Sequence, residues 1–564
     1  MKKISLFVFL VSSIAFAQDY GYLSGGFESN FKWYNDDPET GAFFDEENPG
    51  SDEHVRSNNY LKLDYTYKNW SAGVQLESYL PMPLLNYSPK YDDTGLSTFY
   101  AEYRSEKLKI TAGYFYEQFG SGLILRAWED RQLGINNALR GGRIVYRPTN
   151  NIMLTGLYGQ QKEGFDVSEG HIFGFDTEID MADIAKFKKF SLGLGASYVG
   201  RYQEADIEKP NFEELTNAFS GRLDFSKNSF YAAAEYVYKI EDAIVVRHQV
   251  NNNLVKPGNA LLFNFGYAAQ GLGINATLRR LENMDFFSDR EAAGNDFNMN
   301  IVNYLPALTK QHDYLLTNIY VYQAQPRVYL GSNVLKAGEI GGQFDVYYRF
   351  KEGSSLGGKY GAKIALNASY WANLGGEYDY LNQDYSAEFF GFGEKYFSDI
   401  NVEVRKQLSK NWKTIFTYVN QYYNKRYIEE THDIIKTNIG VAEVNHTLNE
   451  KQSLRLVAQH LWGKGDDGAA NYTTNWAGAT LEFNVNQQLS FYVSDIYNYT
   501  NDNPHPDVDT ENIHYYNVGG SFTKGPHRLS LNYGRQRGGV VCVGGVCRYV
   551  PPSTGLSVNL SIVF

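Results

Sequence analysis

Cysteine, proline and long apolar runs are scarce in this chain of 564 residues, and each scarcity narrows its class. Two cysteines, Cys542 and Cys547, are too few for a disulfide-stapled secreted domain or for a cysteine metal cluster. Fifteen prolines beside 53 glycines suit many strands joined by tight turns. Past residue 17 no stretch offers the roughly twenty consecutive apolar residues of a membrane-spanning helix. GxSxG, HExxH and other nucleophile-and-base spacings are missing, so no enzyme is expected and no cofactor or metal site is read. His505, Asp507 and His514 share an outer loop where a rim hydrolase would need them, yet ten histidines in a chain this long read as structural. Lys plus Arg number 52 against 64 Asp plus Glu, a formal charge of −12 that becomes −14 without Lys2 and Lys3. That acidity excludes nucleic acid as a partner.

Aromatics are abundant instead, at 16%, with 46 Tyr and 35 Phe, although mean hydropathy is negative. The pairing fits strands that show lipid on one side and water on the other, with tyrosines in interfacial girdles. From Gly555 to Phe564 the chain alternates strictly: Leu556, Val558, Leu560, Ile562 and Phe564 fall on one face, Ser557, Asn559 and Ser561 on the other. A final strand ending on Phe is the assembly signal of outer-membrane barrels, which makes the barrel assembly machinery an expected partner during biogenesis. At the other end Lys2 and Lys3 precede an apolar run from Ile4 to Phe16, and Ala15-Phe16-Ala17 is a small-x-small cleavage site. Residues 1–17 read as a signal peptide and 18–564 as the mature barrel, placed in the outer membrane of a Gram-negative bacterium and in contact with its lipid.

The first strand shows the rule. Leu23, Gly25, Phe27, Ser29, Phe31 and Trp33 alternate with Ser24, Gly26, Glu28, Asn30 and Lys32, a face too polar for lipid and therefore lumenal. The pattern recurs at 60–67, 192–202, 230–239, 344–350, 441–447 and 481–485. Short periplasmic turns are expected at 68–69, 105–107, 148–150, 185–189, 226–229, 269–270, 308–311, 351–358, 408–411, 448–451, 486–488 and 524–527. They imply one all-β antiparallel transmembrane barrel of about 26 strands, within a range of 22–26, with long extracellular loops. No N-terminal plug domain fits before a strand that starts this early. A barrel so wide, on the order of 50 Å across, needs its lumen filled.

The leading filler is 116–143, expected to fold inward. It mixes Glu117, Arg126, Glu129, Arg131, Arg140 and Arg143 with glycines and with Leu123, Ile124, Leu125 and Trp128. Its charged residues are candidates for a constriction that sorts solutes by charge; the other reading is that they brace the wall through ion pairs with carboxylates such as Glu28 and Glu77.

The segments YEQFGSGLILR from Tyr116, ALRGGR from Ala138, NYLPALTKQHDY from Asn303, SLGGKYG from Ser355, SDIYNYT from Ser494 and RGGVVCVGGVCRYVPPSTG from Arg537 together resemble a Bacteroidota family of uncharacterised outer-membrane barrels. The resemblance spans most of the chain, and VCVGGVCR is its most specific part. Gly539 stands where that pattern has an acidic residue. The resemblance implies a location and a fold, and no substrate.

In Cys542-Val543-Gly544-Gly545-Val546-Cys547 the Gly-Gly pair suits a primed two-residue turn, which sets the cysteines opposite each other within disulfide range. This hairpin falls in the last extracellular loop, 538–554, in an oxidising compartment, and closing so small a ring contributes only about 2 kcal/mol, so local shape is its expected role. Asp36, Asp37, Glu39, Asp45, Glu46, Glu47, Asp52 and Glu53 crowd the first outer loop, and Asp502, Asp507, Asp509 and Glu511 the penultimate one, without calcium-loop spacing.

Porin-like solute passage is the expected function, and a non-conducting barrel subunit of a larger outer-membrane assembly, bound to another barrel or a surface lipoprotein, is the alternative. Mass spectrometry of a non-reduced digest should recover Cys542 and Cys547 cross-linked within one chain; two free thiols would refute the hairpin geometry.

Overall fold

The computed structural model describes residues 21–564 apart from 43–52, 86, 188, 205–212, 247, 469 and 503–511. The signal peptide, Asp45, Glu46, Glu47 and Asp52 of the first outer loop, and His505, Asp507, Asp509 and Glu511 lie outside the described residues.

A single closed antiparallel sheet of 24 strands forms the wall. The first strand, Tyr22–Asn35, pairs with the second and also with the last, Ser553–Val563, from Gly26↔Val563 to Asn35↔Thr554. Phe564 extends that seam: its N–H donates to Gly25 O at 2.9 Å and its carbonyl accepts from Gly25 N at 2.7 Å. Closure leaves no unpaired edge, which a bilayer core demands.

Period-2 alternation decides what each face meets. Trp33, Phe175, Leu278, Ile400, Phe416 and Val518 are half exposed, at 49–58%, on the outer wall, where the surrounding medium must be hydrocarbon. Near the short turns a file of rings, Phe187, Phe190, Phe225, Phe230 and Phe265, runs with centroid spacings of 4.4–6.2 Å, an interfacial girdle. The protein is an integral barrel of the Gram-negative outer membrane. Two hairpins, Phe230–Val246 with Gln249–Ala269 and Ala362–Asp379 with Asp384–Gln407, are far longer than a bilayer requires and rise on the extracellular side.

Every expected short turn joins two wall strands except 308–311. That stretch lies within 283–337, which separates the wall strands Leu272–Glu282 and Gly338–Phe350 and contributes only the two-residue strands Tyr329–Leu330 and Leu335–Lys336. Removing one false turn removes two strands from the central value of 26, so the count is 24, inside the expected range of 22–26. The apolar residues around 308–311 are apolar because they are buried by packing, not because they face lipid.

Replacing Phe564 with Asp should cut the heat-modifiable barrel in outer-membrane fractions while secretion into the periplasm persists, because the seam loses its apolar anchor. Normal amounts of inserted barrel would contradict this.

Candidate functional site

Two long insertions enter from the outer ends of strands. The first lies between Leu108–Phe115 and Leu139–Thr149 and folds as two miniature hairpins, Gln118–Phe119 with Leu125–Arg126 and Glu129–Asp130 with Ile135–Asn136. The wall resumes at Leu139, so the insertion ends at 138 and not 143. Phe119, Leu123, Ile124 and Leu125 are 1–2% exposed and pack on Ile172, Val199, Ala218, Val237, Ala260 and Leu281, one residue from each of six successive wall strands. This is an apolar stripe on the lumenal face, where alternation alone predicts polar groups. Burying those four side chains contributes roughly 6–12 kcal/mol gross.

The second insertion, 283–337, supplies Met284, Phe286 and Val302 to the same cluster. It then crosses the lumen. Tyr314, Leu316 and Ile319 pack on Val419, Ile439, Val457, Leu461 and Trp476 of a different wall sector, and Tyr322 lies between Trp371 and Phe397, at 5.8 and 5.3 Å between ring centroids. The sequence held a cue: Phe286, Phe287, Met299, Val302, Leu305, Leu316 and Ile319 follow neither strand nor helix spacing.

Ionic anchors position this apolar contact. On one side Asp242 of the wall holds Arg201 of the wall and Arg290 of the insertion at 3.0 and 2.8 Å, and Arg201 also donates to Phe287 O at 3.0 Å. On the other, Glu339 accepts from Arg279 at 2.5 Å, from the Tyr322 hydroxyl at 2.5 Å and from Gln325 N at 2.8 Å. Gly170 is required where the insertion's backbone touches the wall: a Cβ there would sit 1.6 Å from Ser288 O.

The charged candidates separate into different roles. Arg131 pairs with Glu28 at 2.7 Å and Glu129 at 3.2 Å; burial opposes its charge, yet the two carboxylates hold the guanidinium above its ordinary range. Arg143 bonds Glu117 at 3.0 Å and Glu102 at 3.5 Å. Glu77 takes Lys162 at 3.8 Å, not an arginine. Arg126 meets no carboxylate among the described residues and lies over the rings of Trp128 and Tyr304, at 4.9 and 3.9 Å. Arg140 does not join the lumenal set. It shares parity with Ile144 and Tyr146, which are 50% and 45% exposed on the outer wall, whereas Leu139, Arg143 and Val145 point inward. The six charges therefore do not converge on one ring.

The last outer hairpin closes the assembly from above. Gly539–Val543 pairs with Val546–Val550 through a Gly544-Gly545 turn with φ of 58° and 84°, and the Cys542–Cys547 disulfide spans a Cα separation of 4.0 Å. Cys547 is buried against Tyr322 O, Ala307 N donates to Gly545 O at 2.7 Å, Tyr304 donates to Gly544 O at 3.0 Å, and Arg548 donates to Leu133 O. The bridge thus faces the insertions as well as the rim. Beside it a cavity of about 180 Å³ is lined by both insertions, this hairpin and the loop after Trp412–Asn424. Lys336 borders it, its ammonium pushed down to about 8 by burial, with Glu430 opposing. Toward the periplasm larger polar cavities open, of about 590 Å³ beside His312, Asp345, Asn401 and Glu403 and about 430 Å³ beside Ser521, Ser530 and Asn559. Burial lowers the His312 imidazole below its ordinary range. No group of His, Cys, Asp and Glu that could hold a metal occurs among the described residues.

Comparison with known proteins gives a family and a few similar outlines. The model of a family described as "Family of unknown function (DUF6029)" matches residues 1–564. No curated protein matches the chain. Among solved structures, the P pilus usher (PapC) translocation pore is similar with TM-score 0.38 and 9% identity over 96% of this chain and 99% of that one. The outer membrane transporter YddB from Escherichia coli gives 0.40 and 8% over 96% and 81%. OccK3 (OpdO) from Pseudomonas aeruginosa gives 0.35 and 11% over 71% and 90%.

Replacing Asp242 with Ala removes the carboxylate that Arg201 and Arg290 share and should weaken docking of 283–337 by about 3–5 kcal/mol. Limited proteolysis should then cut within 283–337 while the barrel keeps its heat-modifiable mobility; unchanged resistance would remove this anchor from the account.

Proposed function

The chain belongs to this family of unknown function, and for it we propose an outer-membrane barrel that stays closed at rest and serves as a non-conducting subunit of a larger envelope assembly. One observation carries the reading. The 283–337 insertion packs dry against wall sectors on both sides of the lumen, in the cluster with Ile172 and Val199 and in the cluster with Ile439 and Leu461. Lifting it would expose many fully buried apolar side chains at roughly 1.5–3 kcal/mol each, so thermal motion does not open it. The lumenal charges brace the wall in this reading, since Arg131, Arg143, Glu28, Glu102 and Glu117 satisfy one another. Support for an assembly comes from the tall hairpin of Ala362–Asp379 with Asp384–Gln407, whose Leu381 and Phe390 are 86% and 71% exposed. Exposed apolar side chains at the turn, Leu381, and lower on the second strand, Phe390, suit another barrel or a surface lipoprotein.

Porin-like passage is the second reading, favoured by the polar cavities on the periplasmic side. Planar bilayers separate the two. The purified protein should give a flat current trace, a variant in which a Gly-Ser bridge replaces 286–334 should give large unitary steps, and deletion of 119–138 alone should give smaller ones. Stable steps from the intact protein would establish porin-like passage instead.

A further inference from the structure

We infer that the outward-facing cavity of about 180 Å³ is a binding site for one uncharged sugar ring, presented by a glycan at the cell surface. The inference goes beyond the closed-barrel reading, because binding there requires no conduction.

Its shape and chemistry are particular. Trp128 and Tyr304 line it with rings 5.5 Å apart and 76° to each other. Arg126 lies over both rings, at 4.9 and 3.9 Å, and is not one of the residues that line the cavity. Aromatic faces suit the C–H face of a pyranose, whose rim of hydroxyls each donates and accepts.

Amides on the remaining walls match those hydroxyls. Asn298 and Gln323 line the cavity, and neither their side chains nor the Trp128 indole N–H has a protein partner among the described residues. Asn303 is 2% exposed; its Nδ2 donates to Leu123 O and Met284 O, and its Oδ1 has no partner. A buried amide oxygen left without a donor costs about 1–3 kcal/mol unless something bonds it.

Charge selects against ionic ligands. Arg327 is taken by Asp285 at 2.6 Å, and Lys336 by Gln325 Oε1 at 3.0 Å and Glu430 at 3.5 Å. Both cations and both anions at the cavity are therefore paired within the protein, and a charged ligand would have to break a pair to find its own. The volume lies below the range of about 300–1,000 Å³ for drug-sized ligands, so one ring enters and the rest of a glycan stays outside. Gly545, Val546 and Cys547 form one wall, which gives the disulfide hairpin a role in keeping the cavity shaped.

The test uses the full-length protein in detergent micelles, titrated with glucose, galactose, N-acetylglucosamine, glucuronate and glucosamine while tryptophan fluorescence and calorimetric heat are read. A saturable response is expected for at least one neutral sugar, with the charged analogues of the same ring at least tenfold weaker. Trp128→Ala should weaken binding roughly tenfold. Gln323→Ala touches no internal bond and should weaken it severalfold with barrel migration unchanged, so lost binding there is not lost folding. Lipopolysaccharide purified from the native membrane forms a second arm: tighter binding than any free sugar identifies the cell's own glycan as the source, and weaker binding an external one. No saturable response to any neutral sugar or to the lipopolysaccharide, equal binding of glucuronate, or full binding by both variants overturns the inference. Conductance of the intact protein bears only on the closed-barrel reading.

Discussion

The contact between two folded-in insertions and an apolar stripe on the inner wall is what the rest of the molecule depends on. A ring of 24 strands encloses a space on the order of 50 Å across, far too wide for side chains alone to fill. Water in that space would make the lumenal face polar throughout. Ile172, Val199, Ala218, Val237, Ala260 and Leu281 break that rule together, each 0% or 1% exposed, and they make sense only if chain covers them. Wall and filling are therefore one core, and neither can be changed independently.

Burial supplies most of the energy and ion pairs supply the position. An exposed ion pair contributes at most about 1 kcal/mol, while each buried Leu, Ile or Phe of the insertions contributes roughly 1.5–3 kcal/mol. Asp242 with Arg201 and Arg290, and Glu339 with Arg279, are too buried to be judged as surface pairs. Their net contribution to stability is small against a well-packed apolar replacement, but an apolar surface slides and a bidentate arginine does not. Fixing the register of 283–337 on both sides is what these groups add.

Most of the wall was legible in the sequence because lipid on one side and water on the other impose period 2. The failures have the same origin. At 308–311 the rule met half-buried Leu305 and Leu308 and buried Tyr314, residues held by tertiary contact, and read wall strands into a segment that has none. At Arg140 the composition of 116–143 suggested a lumenal charge, although counting parity back from Ile144 already places it on the outer face. The cysteine hairpin was legible because a two-residue turn leaves one geometry for its neighbours, as Cys542↔Cys547 pairing confirms. What it packs against was not, since Ala307 and Tyr322 are more than two hundred residues away in the chain.

Both insertions leave the wall at its extracellular end, and this explains where the filling is densest. Extracellular ends carry the long loops, so chain is available there to fold down, whereas periplasmic turns of a few residues have none to spare. The filling is consequently top-heavy: Tyr304, Ala307 and Tyr322 meet the disulfide hairpin near the outer mouth, while the widest polar cavities remain on the periplasmic side. An obstruction built this way presents its most elaborated surface, with Trp128, Asn298, Gln323 and the Gly545 turn, to the outside of the cell. Under the closed-barrel proposal a ligand or partner is therefore met at the outer surface first, before any question of passage arises.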